Sequence, residues 1–152
     1  MKILFILLIT ISQIFASKLS VEGLVQSPLI LTKKSFFDLP QTTLDNVDVV
    51  CASGEQKQKP KKLKGILLMQ LVQNSKIDIK NKKKLNQVII LASAKDNYAV
   101  AFSYNELFNT TIGNNVLVVY ENDSFSLYSK EDFLTGPRHV YDLNKIKIVL
   151  VE

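Results

Sequence analysis

The sequence is poor in the residues from which many polar sites are built. Its 152 residues include one cysteine, Cys51, one histidine, His139, one arginine, Arg138, and no tryptophan. A single histidine excludes a multi-histidine metal site and a catalytic pair of histidines. A single cysteine excludes an internal disulfide, so Cys51 is free, bound to a metal or paired with another molecule.

Positive charge is carried almost entirely by lysine, and the formal net charge is +5. The lysines are concentrated in two tracts, residues 57–64 and 76–84, which have few aromatic neighbours. Nucleic-acid-binding surfaces usually combine basic residues with arginine and with aromatic rings that stack on bases. We therefore expect no nucleic-acid partner and interpret the two tracts as solvated surface.

The longest apolar run lies at the N-terminus. A positive head ending at Lys2 precedes apolar residues 3–11, and the chain becomes polar at Ser17. This arrangement is typical of a secretory signal peptide, and the run is shorter than the ~20 apolar residues of a membrane-spanning helix. We expect a signal peptide at residues 1–16, cleaved after Ala16 or Ser17. The alternative is an uncleaved anchor.

Cleavage would leave residues 17–152 as a single domain with a net charge of +4, because Lys2 is removed. Such a domain is large enough to bury a core. We expect a periplasmic or secreted protein without a transmembrane segment after cleavage. Its oligomeric state does not follow from the sequence.

Short apolar segments alternate with turn signals along this domain. Strands are predicted at residues 19–25, 29–31, 47–51, 88–92, 98–103, 116–120, 125–128 and 145–151, and helices at 33–38, 66–74 and 104–108. The lysine-rich residues 54–64 and most of 76–86 are predicted as loops. No regular βαβα order is present, so we predict an α+β domain with a mixed sheet folded partly into a barrel.

Local turn chemistry supports several of these elements. Thr32 is a predicted N-cap, and Ser103 with Glu106 has the spacing of a capping box. Asp96-Asn97 and Asn122-Asp123 are predicted turns of β-hairpins.

Read in order, the chain resembles the sulfite-oxidase-like molybdopterin-binding domain family in its small exported form. Four blocks carry the resemblance: SVEGLVQSPLILTKKSFFDLPQTTL; VDVVCASG with LKGILLMQLV; VIILASAKDNYAVAFSYNELF; and LYSKEDFLTGPRHVYDLNKIKIVLV. They are similar to the family's opening strand and Leu-Pro helix, its cysteine strand, its Ser-x-x-Asp-x-Tyr hairpin, and its final Gly-x-Arg-His-Val turn. The resemblance implies the family's molybdopterin-binding fold.

It also implies a site. In this family the cysteine ligates molybdenum beside the dithiolene of a pterin, a role that suits a soft thiolate. Cys51 would be that ligand, and Arg138 and His139 would lie near the pterin phosphate. The implied protein is a periplasmic molybdenum-cofactor oxidoreductase with a redox or membrane partner, in which the cofactor supplies the chemistry.

The chain departs from the family at two places. Tyr141-Asp142-Leu143 stands where the family has Lys-Trp-Leu, and the stretch before Gly136 lacks the family's His-Gly-x-Pro-x-Arg pattern. These departures favour an alternative, a cofactor-free binding or interaction module that retains the fold. Whether the chain is an enzyme therefore stays open.

Each candidate residue has a structural interpretation as well. Cys51 is equally interpreted as a small core residue, and His139 as a residue packed in a turn. Arg138 could form an ion pair with Asp132 or Glu131 instead of binding an anion. Asp96 lies either in a hairpin turn or at the mouth of a pocket.

Overall fold

A computed structural model describes residues 16–151. Within this range the chain forms an α+β fold with nine strands and three short α-helices. The predicted signal peptide lies outside the described residues, apart from Ala16. No helix among residues 16–151 is both long enough and apolar enough to cross a bilayer.

The elements follow the predicted order. The strands are β1 (Leu19–Gly23), β2 (Leu29–Leu31), β3 (Thr42–Val50), β4 (Gln56–Leu67), β5 (Val88–Ala94), β6 (Ala99–Ser103), β7 (Val116–Glu121), β8 (Ser124–Ser129) and β9 (Leu143–Leu150). The α-helices are α1 (Lys33–Phe37), α2 (Leu68–Ser75) and α3 (Tyr104–Phe108), and 3₁₀ helices lie at Lys82–Gln87, Thr111–Asn115 and Gly136–Arg138.

The strands form two sheets, not the single, partly barrel-like sheet that the sequence predicts. One has the order β2-β1-β9-β5-β6 and is mixed, because β1 and β9 run parallel; the other has the order β3-β4-β7-β8. Neither closes. The edge of β8 makes one isolated bridge, between Leu127 and Val140, instead of a continuous ladder to the first sheet. The predicted barrel is wrong because this single bridge does not join the sheets.

The predicted loop at residues 54–64 is also wrong, because residues 56–64 belong to β4. It pairs antiparallel with β3, and register shifts between Leu44 and Val50 interrupt the ladder. Pro60 lies within this irregular stretch, where a missing backbone donor is tolerated. Similarly, Leu67 ends β4 and α2 begins at Leu68, two residues after the predicted helix start.

The core lies between the mixed sheet, α2 and one face of the second sheet. A large cluster of buried residues draws on all three, with Val21 and Ile146 from the mixed sheet, Leu71 from α2, and Val118 from β7. A smaller cluster lies on the opposite face of β7 and includes Val47, Val49, Leu63, Leu67, Leu117, Val119 and Tyr128. The second sheet is therefore buried on both faces near β7.

The predicted local signals are confirmed. Thr32 caps α1, and Ser103 caps α3 in a reciprocal capping box with Glu106. The hairpin turns have backbone conformations that asparagine tolerates, with φ of 71° at Asn97 and 50° at Asn122. These turns fix the β5–β6 and β7–β8 pairings.

Candidate functional site

The predicted site residues lie at the junction of β3 and the 3₁₀ helix Gly136–Arg138. Thr135 joins the two: its hydroxyl accepts a hydrogen bond from the Val50 amide at 2.8 Å and donates one to the Asp48 carbonyl at 3.0 Å. Gly136 lies close to the strand, since a Cβ there would come within 2.7 Å of the Val50 oxygen and 3.2 Å of the Cys51 Cα. Cys51 therefore lies beside Gly136, the first residue of the turn that carries Arg138 and His139.

Cys51 directly follows β3 and opens a tight turn. Its amide donates to the Glu55 carbonyl and its carbonyl accepts from the Gly54 amide, both at 2.8 Å. The side chain is half-buried and the thiol is free. The interpretation as a small core residue is therefore too strong, while the role as a metal ligand stays a prediction.

Arg138 is held by two carboxylates. Its Nε donates to Asp132 Oδ2 at 2.8 Å, a second nitrogen bonds the other Asp132 oxygen, and Nη1 donates to Glu106 Oε1 at 2.6 Å. The guanidinium also lies 4.4 Å from the ring centroid of Phe102. The hydrogen bonds to Asp132, followed by those to Glu106, raise the pKa of Arg138, although burial opposes the rise.

Of the two ion pairs predicted as alternatives for Arg138, the structure contains the one with Asp132 and not the one with Glu131. Glu106 was not predicted as a partner of Arg138. The same carboxylate completes the capping box of α3, where its Oε2 accepts the Ser103 amide. The capping box uses one carboxylate oxygen of Glu106, which leaves the other free to bind a cation, and the sequence could have indicated this much. The choice of Arg138, 32 positions away, follows from the fold.

His139 is 4% exposed and lies between two tyrosines. The ring centroids are 4.2 Å from Tyr128 and 3.9 Å from Tyr141. Among the described residues, neither imidazole nitrogen has a hydrogen-bond partner. Burial lowers the pKa of His139 to about 4; Glu121 acts to raise it and Lys61 to lower it. The imidazole is therefore neutral at pH 7, with one nitrogen as donor and one as acceptor.

A cavity of about 250 Å³ lies beside this histidine, and we refer to it as the His139 cavity. Its lining residues are Ala94, Asp96, Tyr98, Gly136, His139 and Tyr141. Asp96 serves both predicted roles, since it lines the cavity and its Oδ1 accepts the Tyr98 amide within the hairpin turn at 2.9 Å. Asp96 is the one residue with a formal charge at pH 7 among those that line the cavity.

Both tyrosines of the cavity are anchored through their hydroxyl groups. Tyr98 donates to the Pro137 carbonyl at 2.6 Å, and Tyr141 accepts from Gln58 Nε2 at 2.6 Å. The first bond ties the β5–β6 hairpin to the 3₁₀ helix, and the second ties the following turn to β4. The walls are therefore positioned by bonds between distant segments, which no sequence pattern revealed.

A polar network borders the cavity. Tyr128 hydrogen-bonds Glu121, which also pairs with Lys61 at 3.1 Å. Burial, and then Glu121, raise the pKa of the Tyr128 hydroxyl. A second cavity, of about 300 Å³, opens beside this network and is lined by Asp142 and Tyr141 among others. Asp142 therefore lies at this second cavity and is not among the residues that line the His139 cavity.

The residues fit the predicted cofactor site at the metal ligand but not at the phosphate. A half-buried thiol at a strand end is a suitable soft ligand. The predicted phosphate-binding residues are less suitable: the charge of Arg138 is already offset by two carboxylates, and the His139 cavity carries an aspartate and no lysine or arginine. Among the described residues, no group of three or more His, Cys, Asp or Glu could hold a metal ion. The thiol therefore fits the predicted metal ligand, whereas Arg138 and the His139 cavity do not fit the phosphate of a pterin.

Comparisons with known proteins define the class of fold. No protein-family model matches the chain, and no curated protein does. Among solved structures, the chain is similar to the sulfane dehydrogenase SoxCD from Paracoccus pantotrophus, with a TM-score of 0.61 and 14% identity over 87% of this chain. The match covers 38% of the dehydrogenase chain, so this protein spans well under half of that chain.

At this identity the likeness concerns the fold alone. The chain thus shares a two-sheet α+β fold with part of a dehydrogenase, which supports the predicted oxidoreductase-like fold. Fold does not determine activity, because activity depends on the residues of the site.

Proposed function

We propose that this protein is an exported binding module that retains the fold of a molybdopterin-binding domain and recognises its ligand or partner at the His139 cavity without holding the cofactor. The observation that carries the proposal is the pairing of Arg138 with Asp132 and Glu106. Two carboxylates take three of its five N–H donors and offset its charge, so this arginine is a poor site for a phosphate. Its contacts instead hold α3 and the 3₁₀ helix in place.

The charge of the His139 cavity supports the same proposal. Asp96 would repel the phosphate of a pterin, and no lysine or arginine lines the cavity to offset it. The substitution of Tyr141-Asp142-Leu143 for the family's Lys-Trp-Leu removes a further cation. Tyr141 instead packs its ring against the imidazole of His139, with 3.9 Å between the ring centroids.

The second candidate is the predicted molybdenum-cofactor redox protein of the periplasm. The position of Cys51 favours it, because a free, half-buried thiol lies at a strand end beside Gly136. The fold shared with part of a sulfane dehydrogenase is consistent with it. A redox or membrane partner belongs to this candidate.

Molybdenum content separates the two candidates. The protein would be expressed with its own leader in a host that makes the cofactor, and the exported form analysed by elemental mass spectrometry and pterin fluorescence. We expect neither molybdenum nor pterin in a folded sample. Near-stoichiometric amounts of both would overturn the proposal and establish the second candidate.

Cys51→Ala is the matched control for that measurement. If the wild-type protein carried molybdenum, the variant would lose it while keeping its circular dichroism spectrum. Under the proposed function, the two proteins have the same metal content and similar stability. Ser53→Ala, two residues away on an exposed position of the same turn, controls for an effect of any substitution there.

Export is tested separately by cell fractionation. We expect the full-length protein in the periplasm or medium, shortened to begin at Ser17 or Lys18. A version lacking residues 2–16 should stay in the cytoplasm. An intact N-terminus in the membrane fraction would support the uncleaved anchor instead.

A further inference from the structure

A groove of about 290 Å³ lies where α2, the 3₁₀ helix Lys82–Gln87 and α3 meet, and we refer to it as the α2–α3 groove. Its lining residues are Val72, Gln73, Ile77, Ile79, Lys82, Leu85, Tyr104 and Phe108. Six of these eight side chains are aliphatic or aromatic, and none is acidic. None of the eight lines the His139 cavity, so a ligand in this groove does not depend on the proposed function.

The walls of the groove are held by bonds between distant segments. Ile77 forms an isolated β-bridge with Val25, which fixes the segment after α2. On the other side, Asn105 Nδ2 on α3 donates to Asn86 Oδ1 on the 3₁₀ helix at 2.9 Å. The groove is therefore formed before a ligand binds, as is usual for sites that take small molecules.

The apolar lining is only partly covered by the protein. Its partly buried members pack against the large core cluster and are Ile77, Ile79, Leu85, Tyr104 and Phe108. The rings of Tyr104 and Phe108 stack on each other, with 4.5 Å between their centroids. A hydrocarbon group laid against these side chains would remove further apolar surface from water, which favours binding.

The charge of the groove comes from Lys82, the one lining residue with a formal charge at pH 7. The two lysine tracts differ in how their charges are paired. Three lysines of residues 57–64 form ion pairs with carboxylates. None of the five lysines in residues 76–84 has such a pair within residues 16–151. The apolar groove therefore lies in a positive local field, and its ammonium group is available to an anion.

We propose that the α2–α3 groove binds a medium-chain carboxylate. The hydrocarbon chain lies against the apolar lining, and the carboxylate pairs with the ammonium group of Lys82. A single negative charge matches the single lining cation. A volume just below the ~300–1,000 Å³ of sites for drug-sized ligands suits one short chain.

The test is an NMR titration of the exported, ¹⁵N-labelled wild-type protein at pH 7 with octanoate. Hexanoate, octylammonium and acetate are titrated in parallel. We expect saturable shifts of the amide signals of the groove residues with octanoate, and about tenfold weaker binding of hexanoate, because two fewer methylene groups are buried. Octylammonium should also bind about tenfold more weakly, because Lys82 repels it, and acetate should give no saturable shifts.

Two variants with the same change in net charge assign the contact. Lys82→Gln should weaken octanoate binding about fivefold, as expected for an exposed ion pair. Lys83→Gln alters the next residue of the same 3₁₀ helix, which does not line the groove, and should leave the affinity within about twofold. Both lysines are exposed, so neither change should disturb the fold. Equal weakening by both variants would overturn the proposal, because the effect would then be one of net charge.

Other results overturn it as well. Octylammonium that binds as tightly as octanoate would show that the ammonium group of Lys82 plays no part. Octanoate shifts that do not saturate, or that spare the groove residues, contradict a site there. Sedimentation of the protein with phosphatidylglycerol vesicles, without saturable octanoate shifts, would make this face a membrane contact instead.

Discussion

The backbone oxygen of Val50 lies so close to Gly136 that a Cβ on the glycine would approach it to 2.7 Å. This is shorter than an ordinary contact between such atoms, and a backbone oxygen within a paired strand cannot easily move away. The close approach keeps the end of β3, and therefore Cys51, against the turn that carries Arg138 and His139. Four expectations follow from this junction and its neighbours.

Gly136→Ala should separate the 3₁₀ helix from β3. We expect a loss of about 1–3 kcal/mol in the free energy of unfolding, measured by urea denaturation, because the added methyl group overpacks the junction. Gly54→Ala adds the same methyl where no atom lies within 4 Å, although its φ of +83° is unfavourable for alanine. That variant should lose about 1 kcal/mol. An unchanged stability of Gly136→Ala would contradict the close packing.

Thr135→Val tests the second tie between the turn and the strand. Valine has nearly the same shape but leaves the Val50 amide without its acceptor and the Asp48 carbonyl without its donor. We expect a loss of about 2 kcal/mol in the free energy of unfolding. Thr43→Val, at an exposed position of β3, serves as the control and should change stability by less than about 0.5 kcal/mol. Similar values for both variants would show that the buried hydroxyl is unimportant.

Arg138→Gln should destabilise the protein because it leaves two partly buried carboxylates without a cation. The side chains of Asp132 and Glu106 are 15% and 25% exposed, so we expect a loss of about 2 kcal/mol, less than for a fully buried pair. Arg138→Lys should recover only part, because an ammonium cannot reproduce the paired hydrogen bonds.

The matched comparison for Arg138 is the exposed Lys34–Asp38 pair on α1. Lys34→Gln should cost no more than about 0.5 kcal/mol by the same denaturation measurement. If Arg138→Gln were equally mild, the guanidinium would not be essential to the junction and would be free to bind an anion. That outcome would weaken the proposed function.

His139 should make stability depend on pH. Burial lowers its pKa to about 4, against about 6.5 for an exposed histidine, so the unfolded chain binds the proton more tightly. The contribution of the neutral imidazole to the free energy of unfolding is fully present above pH ~6.5. It is lost as the pH falls towards ~4, by roughly 3 kcal/mol in total.

Two measurements check this dependence. An NMR titration of the single imidazole should give a midpoint near pH 4, and a midpoint near 6.5 would contradict the burial. Urea denaturation of the wild-type protein and of His139→Phe should show a steeper loss of stability between pH 6.5 and 4.5 in the wild type. Phenylalanine keeps a ring between Tyr128 and Tyr141 but cannot titrate.

Elements set by local chemistry could be predicted from the sequence. The capping box of Ser103 and Glu106 defines the start of α3 within a few residues, and Asn97 and Asn122 define two hairpins. Apolar runs such as that in β5 give strands regardless of their partners.

Other features required partners that are distant in the chain. The polar, lysine-rich segment of β4 has no strand pattern of its own and is extended because β3 supplies its hydrogen bonds. The two sheets stay separate and open, because the edge of β8 makes one bridge, between Leu127 and Val140, and no continuous ladder to the mixed sheet.

The sequence by itself determined the local turns, caps and buried strands, because each depends on the conformational preferences of a few adjacent residues. The tertiary structure alone decided the state of the candidate site. Whether Arg138 is free depends on carboxylates 6 and 32 positions away, and whether His139 is neutral depends on burial between two tyrosines. Charge pairing and desolvation act through space, so these properties appear only once the chain is folded.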